Sequence, residues 1–192
     1  MTAVPGLRIE GYVIVSADGM LADADRAMPM ELKFEGDKRF FTAALDRADL
    51  ILHGRNSYED QPNSPQRKRI IVTRKIPAVA PDPSNPRATL WNPAGASFEA
   101  ACERTGVRSG TVAVIGGPEI FEMFMDRYDT FWLSLAPRVK LPGGGPCFPG
   151  VPARSPGEIL AAHGLEPGEA EILDPADGVS VTPWRRVSQT SP

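Results

Sequence analysis

The stretch TVAVIGGPEIFEMFMDRYDTFWLSLAP, residues 111–137, constrains the fold more than any other part of the chain. Val112, Ala113, Val114 and Ile115 form a continuous apolar run without polar alternation, the pattern of a parallel strand covered on both faces. Gly116 and Gly117 interrupt it. Pro118 suits a first helical position, Glu119 and Glu122 suit the positive end of a helix dipole, and Ile120, Phe121 and Phe124 recur at helical spacing. Phe131, Trp132, Leu133 and Leu135 then form a second buried strand, which Pro137 ends. The unit is βαβ, so the chain is α/β. A glycine pair between a buried strand and a helix lets an anion approach the backbone. The same pair also serves as a plain structural turn, and the sequence has no G-x-G-x-x-G, the usual dinucleotide motif.

With 192 residues, one domain with a sizeable core is expected over 1–192. A formal charge of -3 argues against a general nucleic-acid or membrane-surface binder and favours a small-molecule partner. Cys102 and Cys147 stand far apart without metal-ligand spacing, so a reduced, cytoplasmic protein without a disulfide is expected. The N-terminus lacks a signal pattern, and no apolar run approaches membrane-spanning length.

Taken in order, Leu7 to Ser16 reads as the first central strand, becoming wholly apolar at Val13 to Val15. Residues 17–36 read as a long loop. Asp37 can cap a helix whose Phe40, Phe41, Ala44, Leu45 and Ala48 share one face. Leu50 to His53 is a short strand running into Gly54, where Asn56 and Ser57 offer capping chemistry for a short helix and Arg55 stands at its mouth. Ile70, Ile71 and Val72 form another strand, with Thr73, Arg74 and Lys75 at its exit. Three candidate anion sites thus fall at strand exits, where open α/β sheets bind ligands: Gly54 to Ser57, Thr73 to Lys75 and Gly116 to Ile120. Arg67, Lys68, Arg69, Arg74 and Lys75 are equally readable as a solvated basic surface. Residues 76–87, with four prolines, form an extended connection that cannot be a central strand. Ala88 to Trp91 is a strand and Ser97 to Arg104 a helix. After Pro137 a glycine- and proline-rich loop precedes a capping box at Ser155 to Glu158. Ala170 to Leu173 and Val179 to Val187 close the chain as an antiparallel hairpin.

In this order the segments AMPMEL (27–32), HGRNSYE, RKRIIVT, VIGGPEIFEMF and FWLSLAP resemble the dihydrofolate reductase-like superfamily over nearly the whole chain. SADGMLA (16–22), GDKR (36–39) and GGGPCF (143–148) are more similar to the reductase domain of the bifunctional riboflavin-biosynthesis enzymes. The resemblance implies a three-layer α/β/α fold, a mostly parallel sheet ending in the antiparallel hairpin, and a reductase using NADPH. Gly54, Arg55, Asn56 and Ser57 match the segment under the pyrophosphate. Thr73, Arg74 and Lys75 match the holder of the adenosine 2′-phosphate. Gly116, Gly117, Pro118, Glu119, Ile120 and Phe121 match the turn and helix beside the nicotinamide, with the glycine–glycine peptide expected cis. Ile14 and Leu21 match the backbone that holds the nicotinamide amide. The riboflavin branch also implies a homodimer.

For the substrate end, the resemblance implies one carboxylate near the first helix, which Glu35 and Asp37 both match by counting, with Asp18 a further candidate for orienting polar groups. Asp37 serves equally as a plain N-cap. Ser134 matches a hydroxyl of the carboxylate's network, and Arg67 an arginine that grips a folate tail. Met30 stands where the family has tryptophan and Phe121 where tyrosine is common, which counts against folate. The zinc deaminase motif, H-x-E with P-C-x-x-C, is absent from the sequence. Three functions are therefore carried forward: a reductase of a pyrimidine ribosylamino phosphate or related heterocycle, a dihydrofolate reductase, and an NADPH-binding protein without turnover. His53 reads as packing at a strand exit and His163 as a helix-end residue.

Overall fold

The computed structural model describes residues 5–187; the ends of the expected domain, 1–4 and 188–192, lie outside the described residues. β1 (Leu7–Ser16) runs through the middle of a ten-stranded sheet. On one side of it follow β7 (Gly110–Val114), β3 (Leu50–Gly54), β4 (Arg69–Val72) and β6 (Asn85–Trp91), all parallel. On the other side lies parallel β8 (Thr130–Ala136). Antiparallel strands flank this set: β5 (Val79–Asp82) on β6, and β12 (Val179–Arg186) on β8. β10 (Leu165–Pro167) and β11 (Glu171–Asp174) share the outer edge of β12.

Strands that read as unbroken apolar runs do so because helices cover both faces. Alternate residues of the central strands, among them Ile9, Val15, Leu50, Leu52, Val112 and Val114, enter the larger core. Phe98 and Cys102 of α2 (Phe98–Thr105), Phe121 of α3 (Pro118–Met123) and Leu160 of α4 (Pro156–Ala162) close it. The intervening residues Tyr12, Ile51 and Ala113 meet Ala44 and Leu45 of α1 (Glu35–Arg47) on the opposite face. Three layers result. The Ser97 cap of α2 and the capping box at Ser155 and Glu158 both form. Both cysteines are buried and free. No helix of the described residues is long and apolar enough to cross a membrane.

Three local expectations are corrected. α1 starts at Glu35 after Phe34, so Asp37 lies inside its first turn and is not the cap; its carboxylate faces Ser134 instead. No helix follows Asn56 and Ser57: the chain turns there and reaches a short 3-10 turn at Ser64–Gln66, because Glu59 and Ser64 are drawn inward by Arg69. The 17–36 loop contains β2 (Met20–Ala22), paired with β9 (Gly145–Pro146) of the late glycine-rich loop, and a 3-10 turn at Met30–Leu32. Within the proline-rich connection, β5 occupies the edge, where a proline does not interrupt a ladder on both sides.

α1 approaches β11 so closely that Gly36 has no room for a side chain. A Cβ there would lie 1.9 Å from the Leu173 carbonyl oxygen, and backbone cannot swing aside as a side chain does. Gly36→Ala is expected to lower unfolding free energy by about 1–3 kcal/mol in urea titration. A loss below about 0.5 kcal/mol, the range of an ordinary surface change, would show that the contact yields easily.

Candidate active site

The chain leaves β3 toward β4, and leaves β7 toward β8 on the far side of β1. Neighbouring strands whose connections part in this way open a crevice beyond their carboxyl ends. Two turns stand there, Gly54 to Ser57 after β3 and Gly116–Gly117 after β7, and they are bonded together. The Gly54 N–H donates to the Gly116 carbonyl at 2.7 Å, and the Ser57 N–H closes the first turn onto the Gly54 carbonyl at 3.1 Å. The Gly116–Gly117 peptide is cis. Gly116 has φ +108°, and a Cβ on it would press on the Phe121 ring at 3.1 Å. A Cβ on Gly117 would find only Ser57 Oγ within 4 Å, so the backbone there is open to a ligand. Pairing sets Ser134 beside Ile14 and Gly54 beside Val72, and the bond from Gly54 to Gly116 ties the glycine turn after β7 to the end of β3.

The cationic side lies one strand further out. Thr73 is buried, its N–H donating to the Trp91 carbonyl at 2.8 Å and its Oγ1 accepting from the Lys75 N–H at 3.2 Å. This turn leaves Arg74 and Lys75 exposed. Arg74 reaches Glu119 at 3.3 Å, linking the exit of β4 to the start of α3. Both groups are more than four-fifths exposed, so the pair contributes little to stability. Arg55 and Asn56 are exposed at the first turn, and Ser57 is half-buried. Pro118 opens α3, whose Ile120 and Phe121 N–H groups donate to the Gly117 carbonyl while their side chains enter the core. Ile14 is buried beside Ser134, and Leu21 lies half-buried on β2.

The three candidate carboxylates fall in different settings. Asp37 accepts from the Ser134 hydroxyl, and burial raises its pKa despite that bond. Glu35 is exposed and faces Lys38 at 3.8 Å. Asp18 accepts from the Ser16 hydroxyl at 2.5 Å and the Leu141 N–H at 3.0 Å. Burial alone would raise the Asp18 pKa, but these bonds hold it below the ordinary value; the residue ties the turn after β1 to the late loop. Of the three, Asp37 is bonded to the strand beside Ile14. Met30 is 73% exposed.

Arg67 is not open to a ligand. Its Nη1 bonds Gln61 at 2.7 Å and Glu59 at 3.1 Å, and its Nη2 bonds Asp46 at 2.5 Å. Beneath it Arg69 is fully buried and grips both Glu59 oxygens at 2.8 Å. Burial would raise the Glu59 pKa, yet the bonds and charge of Arg69 outweigh it and hold the carboxylate below its ordinary value. Arg69 Nη1 also reaches His53 Nε2 at 3.0 Å. His53 is buried, and that burial, aided by the Arg69 charge, lowers its pKa. Sequence reading found no role for Glu59 or Arg69 because nothing in RKRIIVT distinguishes the inward arginines from the outward lysine; the alternation along a strand is the only signal. His163 stands at the end of α4 and bonds Asp126 at 2.8 Å.

No protein-family model matches the chain, and no curated protein matches its sequence. Solved structures do. A protein assigned to riboflavin biosynthesis in Shewanella sp. PV-4 aligns over 94% of this chain and 99% of its own, with TM-score 0.62 and 18% identity. A diaminohydroxyphosphoribosylaminopyrimidine deaminase/5-amino-6-(5-phosphoribosylamino)uracil reductase of Thermotoga maritima aligns over 95% of this chain with TM-score 0.60 and 16% identity. The chain spans 57% of that protein's length. Dihydrofolate reductase of Enterococcus faecalis, complexed with NADP(H) and RAB-propyl, aligns over 93% of this chain and 96% of its own, with TM-score 0.63 and 14% identity. Together with the parallel centre, the antiparallel end and the helices on both faces, these neighbours establish that the chain has the dihydrofolate reductase-like fold.

Proposed function

We propose that the protein is an NADPH-dependent reductase of a heterocyclic substrate, of the riboflavin-pathway type, acting on a pyrimidine ribosylamino phosphate. The observation that supports it is the pair of glycine turns bonded together at the ends of β3 and β7, beside the exit of β4. An open backbone at Gly117 and exposed cations at Arg74 and Lys75 suit a phosphorylated dinucleotide laid across those strand ends. Gly54 to Ser57 and Gly116 to Phe121 would hold the pyrophosphate and nicotinamide, Ile14 and Leu21 the amide, and Thr73 to Lys75 the 2′-phosphate. The bound cofactor supplies a hydride. Asp37, whose pKa is raised by burial and whose carboxyl is steadied by Ser134, would hydrogen-bond the heterocycle and support the charge that develops on it.

Dihydrofolate reduction is the second reading, favoured by the Asp37–Ser134 pair and opposed by the engagement of Arg67 with Asp46, Glu59 and Gln61. NADPH oxidation measured with the pyrimidine intermediate and with dihydrofolate side by side tests both. Turnover of the pyrimidine alone supports the first reading, and turnover of dihydrofolate alone replaces it with the second. NADPH binding with turnover of neither points to a protein that binds the cofactor without this chemistry. Replacing Arg74 and Lys75 together by glutamine is expected to raise the Kd for NADPH roughly tenfold and leave NADH binding unchanged. Equal changes for both cofactors would remove these residues from the 2′-phosphate.

A further inference from the structure

The buried ion cluster reaches the cofactor turn through one side chain, His53. A guanidinium only donates, so His53 Nε2, 3.0 Å from Arg69 Nη1, must be the acceptor of that bond. The ring proton is therefore on Nδ1, which lies 2.7 Å from the Gly54 carbonyl and donates to it. That carbonyl also takes the Ser57 N–H, while the Gly54 N–H is spent on Gly116. The Gly54–Arg55 peptide is thus held by two bonds to its carbonyl, and the peptide before it by the bond to Gly116. In a trans peptide the carbonyl and the following N–H point in opposite directions, so a carbonyl drawn inward to His53 turns the Arg55 N–H outward, away from the ring.

The other end of the same loop is fixed by the same arginine. Arg69 Nη2 bonds Glu59 at 2.8 Å and the Ser64 carbonyl at 2.9 Å, and the Ser64 hydroxyl returns to the Glu59 carbonyl at 2.8 Å. The Tyr58 ring lies over the guanidinium at 4.5 Å and edge-on to His53 at 5.9 Å. The segment from 54 to 64 is wrapped around one buried cation.

We propose that Arg69 and His53 are positioning residues for cofactor binding: Arg69 fixes the His53 tautomer, and His53 fixes the Gly54–Arg55 peptide so that its N–H faces the phosphate. Neither residue touches the ligand. This role rests on the NADPH reading given above.

The test compares His53→Asn with His53→Leu in the full chain. Asparagine places an amide N–H where Nδ1 stands but leaves part of the ring's volume empty, whereas leucine fills the space better and cannot donate. The His53→Asn protein is expected to bind NADPH within about threefold of the unsubstituted protein, and the His53→Leu protein at least about tenfold more weakly. Their melting temperatures are expected in the reverse order, with leucine higher. A merely structural role would put both orders in the same sense. Nitrogen-15 NMR gives an independent readout, since the chain has only one other histidine: Nδ1 is expected to carry the proton and Nε2 to be bare. If the unsubstituted protein binds NADPH and asparagine weakens binding as much as leucine, or if the proton is on Nε2, the positioning role is overturned while the cofactor reading stands. If the unsubstituted protein does not bind NADPH, the cofactor reading falls and takes this role with it.

Discussion

Glu59→Ala is expected to destabilise the protein by roughly 3–5 kcal/mol, because breaking a buried ion pair leaves its partner charge without compensation. The partner here is Arg69, fully buried, with Arg67 nearly so beside it. Glu59 supplies both oxygens to Arg69 and one to Arg67, so its loss takes the carboxylate from Arg69 and one bond from Arg67. Asp46 would remain on Arg67 alone. Urea unfolding of Glu59→Ala beside Glu35→Ala, whose exposed carboxylate faces the surface Lys38, measures the difference. A loss under about 1 kcal/mol for Glu59→Ala would mean that water or rearranged side chains already compensate the arginines. The pH dependence has a definite sign. The folded Glu59 pKa lies below the 4.5 of the free side chain, so its stabilisation is present above 4.5 and is lost as pH falls through the lower folded value.

Asp37→Asn is expected to reduce kcat/KM by about 10²–10⁴-fold, the usual contribution of a positioned acid or base, with NADPH affinity unchanged. The same substitution is expected to make the protein more stable at pH 7. Burial raises the Asp37 pKa above its ordinary 3.8, so the carboxyl favours folding when protonated and loses that contribution as pH rises through the folded value. Asparagine cannot ionise and keeps a carbonyl for the Ser134 hydroxyl. In the active protein kcat/KM should fall as pH rises through the Asp37 pKa, and the fall should be missing from the residual rate of Asp37→Asn. An unchanged kcat/KM in this variant would remove Asp37 from the chemistry, and reduced stability at pH 7 would contradict its burial as the governing influence.

The strands and helices that carry the fold were readable because each answers to a short-range pattern. Val112 to Val114 and Leu50 to Leu52 are apolar at every position, which only a doubly covered strand requires, and the structure covers them on both faces. The glycine pair after β7, the Ser97 cap and the Ser155 capping box were likewise legible, since each depends on neighbours a few residues away. Sequence alone left Asp37 open between cap and ligand contact, because both roles use a carboxylate at the same place in the chain. Only the pairing of β8 with β1, which sets Ser134 beside Ile14 and across from the first turn of α1, decides that this side chain faces Ser134. Arg67 and Arg69 show the same limit. Both were readable as part of a solvated basic surface, and Arg67 also as a substrate contact by resemblance, but the tertiary structure turned them inward onto Glu59. The sequence thus determined the central strands, the capped helices and the position of the glycine turn after β7, because those depend on local periodicity and glycine geometry. Which charges remain free to meet a ligand was decided only by the fold, because burial and ion pairing depend on residues that the chain brings together from a distance.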